Sequence, residues 1–272
     1  MYLSILTWNV WRPPLVGRDN YLRGERLVET IKNAEPDVVL LQEVFKAGDR
    51  RRLLEKLDGY HRPANTYEER SLLGVMFNAT GGLATLSRYP ILDSEFHLFS
   101  VRGKGIAEWF SQKGYTKTVI QTPEGEVRVV DQHTCSMSYN EAVRLQQLRQ
   151  MLNDPDIASD EMPVILAGDF NFDIASGNGV SGTQEFRVLK EAGFDDGLEG
   201  CRDVMKTFCA ENRYTTASDV EDLGGNVMLD GIFFRSGGNR IVRNMRSRLV
   251  GEHPEASDHS GVQSILEISN TA

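Results

Sequence analysis

Polar side chains set against apolar strands constrain this chain more than any other feature of its sequence. The run Leu3–Val10 ends at Asn9, and Asp37–Leu41 carries Gln42-Glu43 at its end. Val164–Ala167 runs into Gly168-Asp169-Phe170-Asn171, Met228–Phe234 holds Asp230, and Asp258 lies beside His259 next to Val262–Ile268. An ionised group at the end of a buried strand is costly unless it reaches water, a partner or a metal. One such residue reads as a turn former. Several, read as strand ends on one side of a sheet, converge on a single acidic pocket. Carboxylates with amides suit Mg²⁺ or Mn²⁺, whereas Zn²⁺ prefers closely spaced Cys and His. His133-Thr134-Cys135 has no second pair of that kind.

The remaining periodicities supply a frame for those strands. Helical spacing of Leu27, Val28 and Ile31 predicts a helix over Arg23–Ala34, stopped by Pro36. Further helices are expected at Arg51–Leu57, Glu141–Leu152 and Glu185–Ala192, the last with Gly193 as its stop. Leu83–Ser87 reads as a strand, Tyr115–Gln121 and Val127–Gln132 as a hairpin around Pro123-Glu124-Gly125, and Ile241–Leu249 as another strand. Strands outnumber helices and come partly as hairpins. An α+β arrangement is expected, with mixed sheets and helices packed outside, in one domain over residues 1–272. Gly177-Asn178-Gly179 and Ser236-Gly237-Gly238-Asn239 lack the lysine and helix of a phosphate loop, and are expected as flexible loops near the site rim.

Composition narrows the function. Thirty Lys+Arg against thirty-nine Asp+Glu give a net charge of −9, which argues against a broad basic face gripping nucleic acid. Cys135, Cys201 and Cys209 are too few for a disulfide framework, so a reduced, cytosolic setting is expected. No stretch reaches the ~18 apolar residues of a membrane span.

Six strings make the pattern specific: Thr7-Trp8-Asn9-Val10, Leu41-Gln42-Glu43-Val44, Gln132-His133-Thr134, Gly168-Asp169-Phe170-Asn171, Leu229-Asp230-Gly231-Ile232 and Ser257-Asp258-His259. Their order and chemistry resemble the endonuclease/exonuclease/phosphatase superfamily, and the match extends from Thr7 to His259. The resemblance implies a four-layer α/β/β/α sandwich in which two mixed sheets pack face to face. It also implies a Mg²⁺- or Mn²⁺-dependent phosphoesterase. By motif, Glu43 and Asn9 look like metal-site residues and Asp258 like a further metal or outer ligand. Asp169 and Asn171 look like the pair that positions water and phosphate. His259 looks like the catalytic histidine oriented by Asp230, and His133 like a phosphate-contacting histidine. Ser257-Asp258-His259 is not a protease triad, because adjacent residues on an extended chain point apart.

The segment Glu108-Trp109-Phe110-Ser111-Gln112-Lys113-Gly114-Tyr115 is similar to one in neutral sphingomyelinases, where a lysine faces phosphate. That resemblance implies a phospholipase C or sphingomyelinase type of diesterase, with Lys113 on the substrate and Trp109 and Phe110 touching a membrane surface. The alternatives are a solvated Lys113 and a core aromatic pair, in a deoxyribonuclease-like nuclease, a phosphomonoesterase or a silent binding module. A monomer is expected.

Overall fold

The computed structural model describes residues 1–13, 18–67, 69–72, 75–78, 80–175, 183–199, 205–253 and 255–271; Gly177-Asn178-Gly179 and Cys201 lie outside them. In chain order the elements are β1 (Tyr2–Arg12), α1 (Asn20–Ala34), β2 (Val38–Val44), α2 (Ala47–Glu55), β3 (Glu69–Leu72), β4 (Val75–Asn78), β5 (Ala84–Ser87) and β6 (Ile91–Leu98). They continue with α3 (Ile106–Ser111), β7 (Gly114–Thr122), β8 (Gly125–His133), α4 (Glu141–Leu152), α5 (Pro155–Ala158), β9 (Val164–Asp169), α6 (Gln184–Glu191) and β10 (Asp195–Asp196). The last are α7 (Ala217–Leu223), β11 (Asp230–Arg235), β12 (Arg240–Val250) and β13 (Gly261–Asn270).

Two mixed sheets form, ordered β12-β13-β1-β2-β5 and β10-β11-β9-β8-β7-β6, with β3-β4 as a separate pair. β1 and β2 run parallel in the first, β8 and β9 in the second. Alternation along β1 explains the layering. Leu3 and Ile5 join a core with Val38, Leu40, Val129 and Leu166, while Leu6, Trp8 and Val10 pack with Leu27, Ile31, Leu53 and Leu54 of α1 and α2. On the far side of the second sheet, Leu148, Met151, Phe186 and Leu189 of α4 and α6 cover the strands. The expected four layers are present. Truncating one of these core leucines to alanine costs about 2–5 kcal/mol.

Between the sheets the packing turns polar toward one end. The Gln42 amide donates to Thr7 Oγ1 at 3.1 Å and to Asp131 Oδ1 at 2.7 Å, joining strands of both sheets. Burial holds the Asp131 carboxyl well above the usual carboxylate range.

Two expectations need correction. Asp230 opens β11 and Asp258 precedes β13, so neither closes a strand. They reach the same edge as Asn9, Glu43 and Asp169 because β11 is antiparallel to β9 and β13 is antiparallel to β1. The same geometry moves Ser236-Gly237-Gly238-Asn239 away from the rim. β11 starts at the site with Asp230, and at about 3.3 Å per residue its exit lies at the opposite end. There Gly238 donates its N–H to the Asp160 carbonyl at 2.6 Å.

Candidate active site

One row of paired residues builds half of the site. Asp230 on β11 is opposite Asp169 on β9, and Asp169 is opposite His133 on β8. The approach of β9 to β8 requires glycine just before Asp169. Gly168 has φ 147°, and a Cβ there would lie 1.9 Å from the Gln132 carbonyl oxygen. The other sheet supplies Asn9, Glu43, Asp258 and His259. Two of the site residues, Glu43 (φ 64°) and Asn171 (φ 52°), hold left-handed backbone that side chains rarely adopt, a form of strain that clusters at functional sites.

Asn9 bridges the sheets. Its Nδ2 donates to Glu43 Oε1 at 3.1 Å and to Asp169 Oδ2 at 2.8 Å, while its Oδ1 accepts the Trp11 N–H at 3.0 Å. The amide is thereby fixed with its nitrogen toward the two carboxylates. Asn171 donates Nδ2 to the Thr134 carbonyl at 3.0 Å, and its N–H is accepted by Asp169 Oδ1 at 2.9 Å. His133 Nε2 lies 3.5 Å from Asp169 Oδ2 and 3.9 Å from Glu43 Oε1. His259 Nδ1 is 2.7 Å from Asp230 Oδ2, its ring packs edge-on against Phe208, and its carbonyl accepts the Trp8 indole N–H at 2.9 Å.

The electrostatics follow from crowding carboxylates in a dry place. Burial raises Glu43, against the pull of Lys113 and the Asn9 bond. Burial and Asp230 push Asp169 up to about 6, and burial pushes Asp258 up to about 7 despite His259. Burial also lowers His133 well below the usual histidine range, helped by the positive charge of Lys113. His259 goes the other way: burial opposes its charge, but Asp230, Asp169 and Asp258 outweigh it and raise it well above that range. Buried oxygen donors held short of full ionisation are a site that a hard divalent cation would complete. Asp230 Oδ1 has no hydrogen-bond partner among the described residues. Ligand atoms of Asp169, Asp230 and His259 lie within 4.8 Å of one another, although a nitrogen already bonded to Asp230 cannot also ligate.

Lys113 is no solvated surface lysine. It is buried, donates to Glu108 Oε1 at 2.9 Å, and is held above its usual range because Glu108, Glu43 and Asp169 outweigh the cost of burial. Ser136, three residues after His133, donates its N–H to the same Glu108 oxygen at 2.9 Å. Trp109 is 51% exposed and meets half-buried Phe110 edge-on at 5.1 Å, so the pair is not a core contact. Met137 and Tyr139, on the loop beyond Ser136, are exposed as well. Ser257 Oγ donates to the Asn9 carbonyl at 2.7 Å and lies 3.0 Å from Asp258 Oδ1, a structural pairing without triad geometry. Cys135 is buried, and burial pushes its thiol up to about 11, away from nucleophile chemistry.

Every residue singled out in the sequence for catalysis, metal or substrate therefore lies at one end of the sandwich. Sequence reasoning did not single out Arg23, whose guanidinium donates to the carbonyls of Val10 and Trp11, just beyond Asn9. Its signal was available: an arginine on the apolar stripe that α1 makes with Leu27 and Ile31.

Residues 6–259 match the model of the Endonuclease/Exonuclease/phosphatase family. A Drosophila melanogaster protein named as a neutral sphingomyelinase is 28% identical over 98% of this chain, and the chain spans 61% of its length. Among solved structures, D. rerio TDP2 complexed with single-strand DNA product superposes with TM-score 0.74 at 22% identity, covering 98% of this chain and 99% of that one. Sphingomyelinase C from Streptomyces griseocarneus gives TM-score 0.70 at 20% identity, covering 97% and 99%.

Proposed function

This chain belongs to the Endonuclease/Exonuclease/phosphatase family, and from that premise we propose that it is a divalent-metal-dependent phosphodiesterase of the phospholipase C or sphingomyelinase type. The observation that carries the reading is the His259–Asp230 pair, 2.7 Å apart, facing Asp169, Glu43 and His133 in one buried acidic cluster. Similarity to the Drosophila relative favours lipid over nucleic acid, as do exposed Trp109 beside half-buried Phe110 and a net charge of −9.

Each side chain has a defined task. Asp230 holds His259 Nδ1, leaving Nε2 to accept the proton of an attacking water. Asp169 and Asn171 orient that water and the phosphate. His133, held neutral, and Lys113 donate to non-bridging oxygens. The water oxygen bonds to phosphorus, the bond from phosphorus to the leaving oxygen breaks, and that oxygen takes up a proton. Glu43, steadied by Asn9 and backed by Asp258, would hold Mg²⁺ or Mn²⁺, which when bound neutralises charge on the phosphate and the departing alkoxide.

The test is a substrate panel with Mg²⁺: sphingomyelin and lysophosphatidylcholine in vesicles, plasmid DNA, and a soluble chromogenic bis-aryl phosphate. Phosphocholine release and chromophore release are expected, both lost with chelation. Replacing Trp109 and Phe110 by serine is expected to impair vesicle hydrolysis while sparing the soluble diester. Efficient plasmid cleavage without head-group release would sink the lipid assignment and leave the phosphodiesterase assignment standing.

A further inference from the structure

α1 turns an apolar stripe toward the first sheet, and one of its buried members is a cation. Arg23 is fully buried, and among the described residues no carboxylate is a hydrogen-bond partner of it. Its Nη2 donates to the carbonyls of Val10 and Trp11, both at 2.6 Å, and its Nε to the carbonyl of Ala256 at 2.9 Å. Nη1 reaches Asn20 Oδ1 at 3.0 Å and, more weakly, the Arg18 carbonyl at 3.4 Å. The guanidinium lies over the Trp11 ring at 4.8 Å and over the Tyr214 ring at 5.0 Å. A buried guanidinium is expensive, and leucine would complete the stripe at less cost.

The recipients of these bonds explain its presence. Val10 and Trp11 follow Asn9, where the pairing of β1 with β2 shifts register between Asn9 and Arg12. The Trp11 N–H fixes the Asn9 amide, while Arg23 holds the Trp11 carbonyl. Ala256 precedes Ser257-Asp258-His259, and Ser257 reaches back to the Asn9 carbonyl. One planar cation thus ties the exit of β1 to the segment entering β13.

We propose that Arg23 is a positioning residue for the metal site: its guanidinium clamps the Asn9 and Asp258–His259 segments in register. The inference rests on the metal-dependent reading above. Trp11 and Tyr214 form the walls that hold the guanidinium plane, a role lysine cannot fill.

The experiment combines calorimetric Mg²⁺ binding, the Mg²⁺-induced rise in melting temperature, and kcat and KM on the soluble diester at saturating Mg²⁺. Arg23→Met is expected to weaken Mg²⁺ binding at least ten-fold and to lower kcat with little change in KM. Arg23→Lys keeps a charge without the planar clamp, so kcat is expected to stay at least ten-fold down and Mg²⁺ affinity to stay about as weak as in Arg23→Met. Should Arg23→Met fail to fold, Tyr214→Leu removes one wall and is expected to weaken Mg²⁺ binding about three-fold, with Tyr214→Phe unchanged. Wild-type Mg²⁺ affinity and kcat in Arg23→Lys and Tyr214→Leu, alongside impaired binding in Glu43→Gln, would overturn this inference alone. Absence of Mg²⁺ binding by the wild type would overturn the metal reading and the clamp together.

Discussion

Two histidines face the same Asp169 and are driven in opposite directions. On the β8 wall, His133 has a carboxylate oxygen 3.5 Å from Nε2, and its Nδ1 has no hydrogen-bond partner among the described residues. Burial and the charge of Lys113 hold it neutral. On the opposite wall, His259 shares a 2.7 Å hydrogen bond with Asp230, and the summed carboxylate field overrides its burial. Both rings are buried, so desolvation alone does not separate them. The difference lies in what binds the second nitrogen and which charge stands nearby. A neutral imidazole donates a hydrogen bond without competing for protons, and an imidazole paired with carboxylate exchanges one.

The largest break in that comparison comes from deleting each ring. His259→Gln is expected to lower kcat on the soluble diester by about 10²–10⁴-fold, the span of a lost general base. His133→Gln removes one hydrogen bond to a charged oxygen, about 1.5–3 kcal/mol, so kcat/KM should fall about 10–150-fold with the pH profile unmoved. Equal losses, or a reversed order, would show that the two walls do not divide the work in this way.

Asp230→Asn makes the His259 wall resemble the His133 wall. The carboxylate that raises His259 is gone, so the rising limb of kcat against pH should move to lower pH. The plateau should drop by about a hundred-fold through lost orientation. A limb that stays in place with an undiminished plateau would remove Asp230 from the proton chemistry.

The smallest effect is on stability and sharpens the comparison through its sign. Without metal, Asp169 and Asp258 have folded values of about 6 and about 7, above their unfolded 3.8, so ionising them costs stability as pH rises from about 4 toward 7. His259, also raised, contributes stability below its unfolded value of 6.5 that is lost as pH climbs through its folded value. His133 is depressed and acts oppositely, losing its contribution as pH falls below 6.5. The melting temperature of chelated protein should therefore decline from pH 6 to pH 8. Saturating Mg²⁺ should flatten that decline, and His133→Gln, which removes the opposing contribution, should steepen it. A metal-free protein that gains stability over this range would contradict the burial of unpaired carboxylates.

Some of this was legible in the sequence because local pattern and tertiary role coincide. α4 follows its periodicity from Glu141 to Leu152, and the continuous apolar run after Asp37 is a strand buried on both faces. β6 was not visible. It is a sheet edge with no buried position and a register shift between Ile91 and Asp93, so its apolar signal is weak. The six-residue α3 is too short to show a period, yet it carries Glu108 and Trp109. The polar strings gave the candidate site residues, but their convergence depends on strand direction, which sequence does not encode locally. Antiparallel β11 and β13 put Asp230 and His259 at strand entrances. For Arg23 the only signal is its place on the apolar stripe of α1; its recipients are mostly backbone carbonyls, which carry no sequence signature.

The hydrogen bond from Trp8 to the His259 carbonyl joins residues 251 positions apart. That span has a consequence in time. At synthesis rates of 5–20 residues per second, Asn9 emerges roughly 12–50 s before His259 exists to meet it. Until β13 slots in beside β1, the nascent chain holds exposed carboxylates with no pocket to gather them. Pairing over such a separation is slow, since loop closure precedes its reward. In refolding, Mg²⁺ uptake should trail the recovery of backbone ellipticity, because the acidic cluster is complete only once β13 has paired with β1.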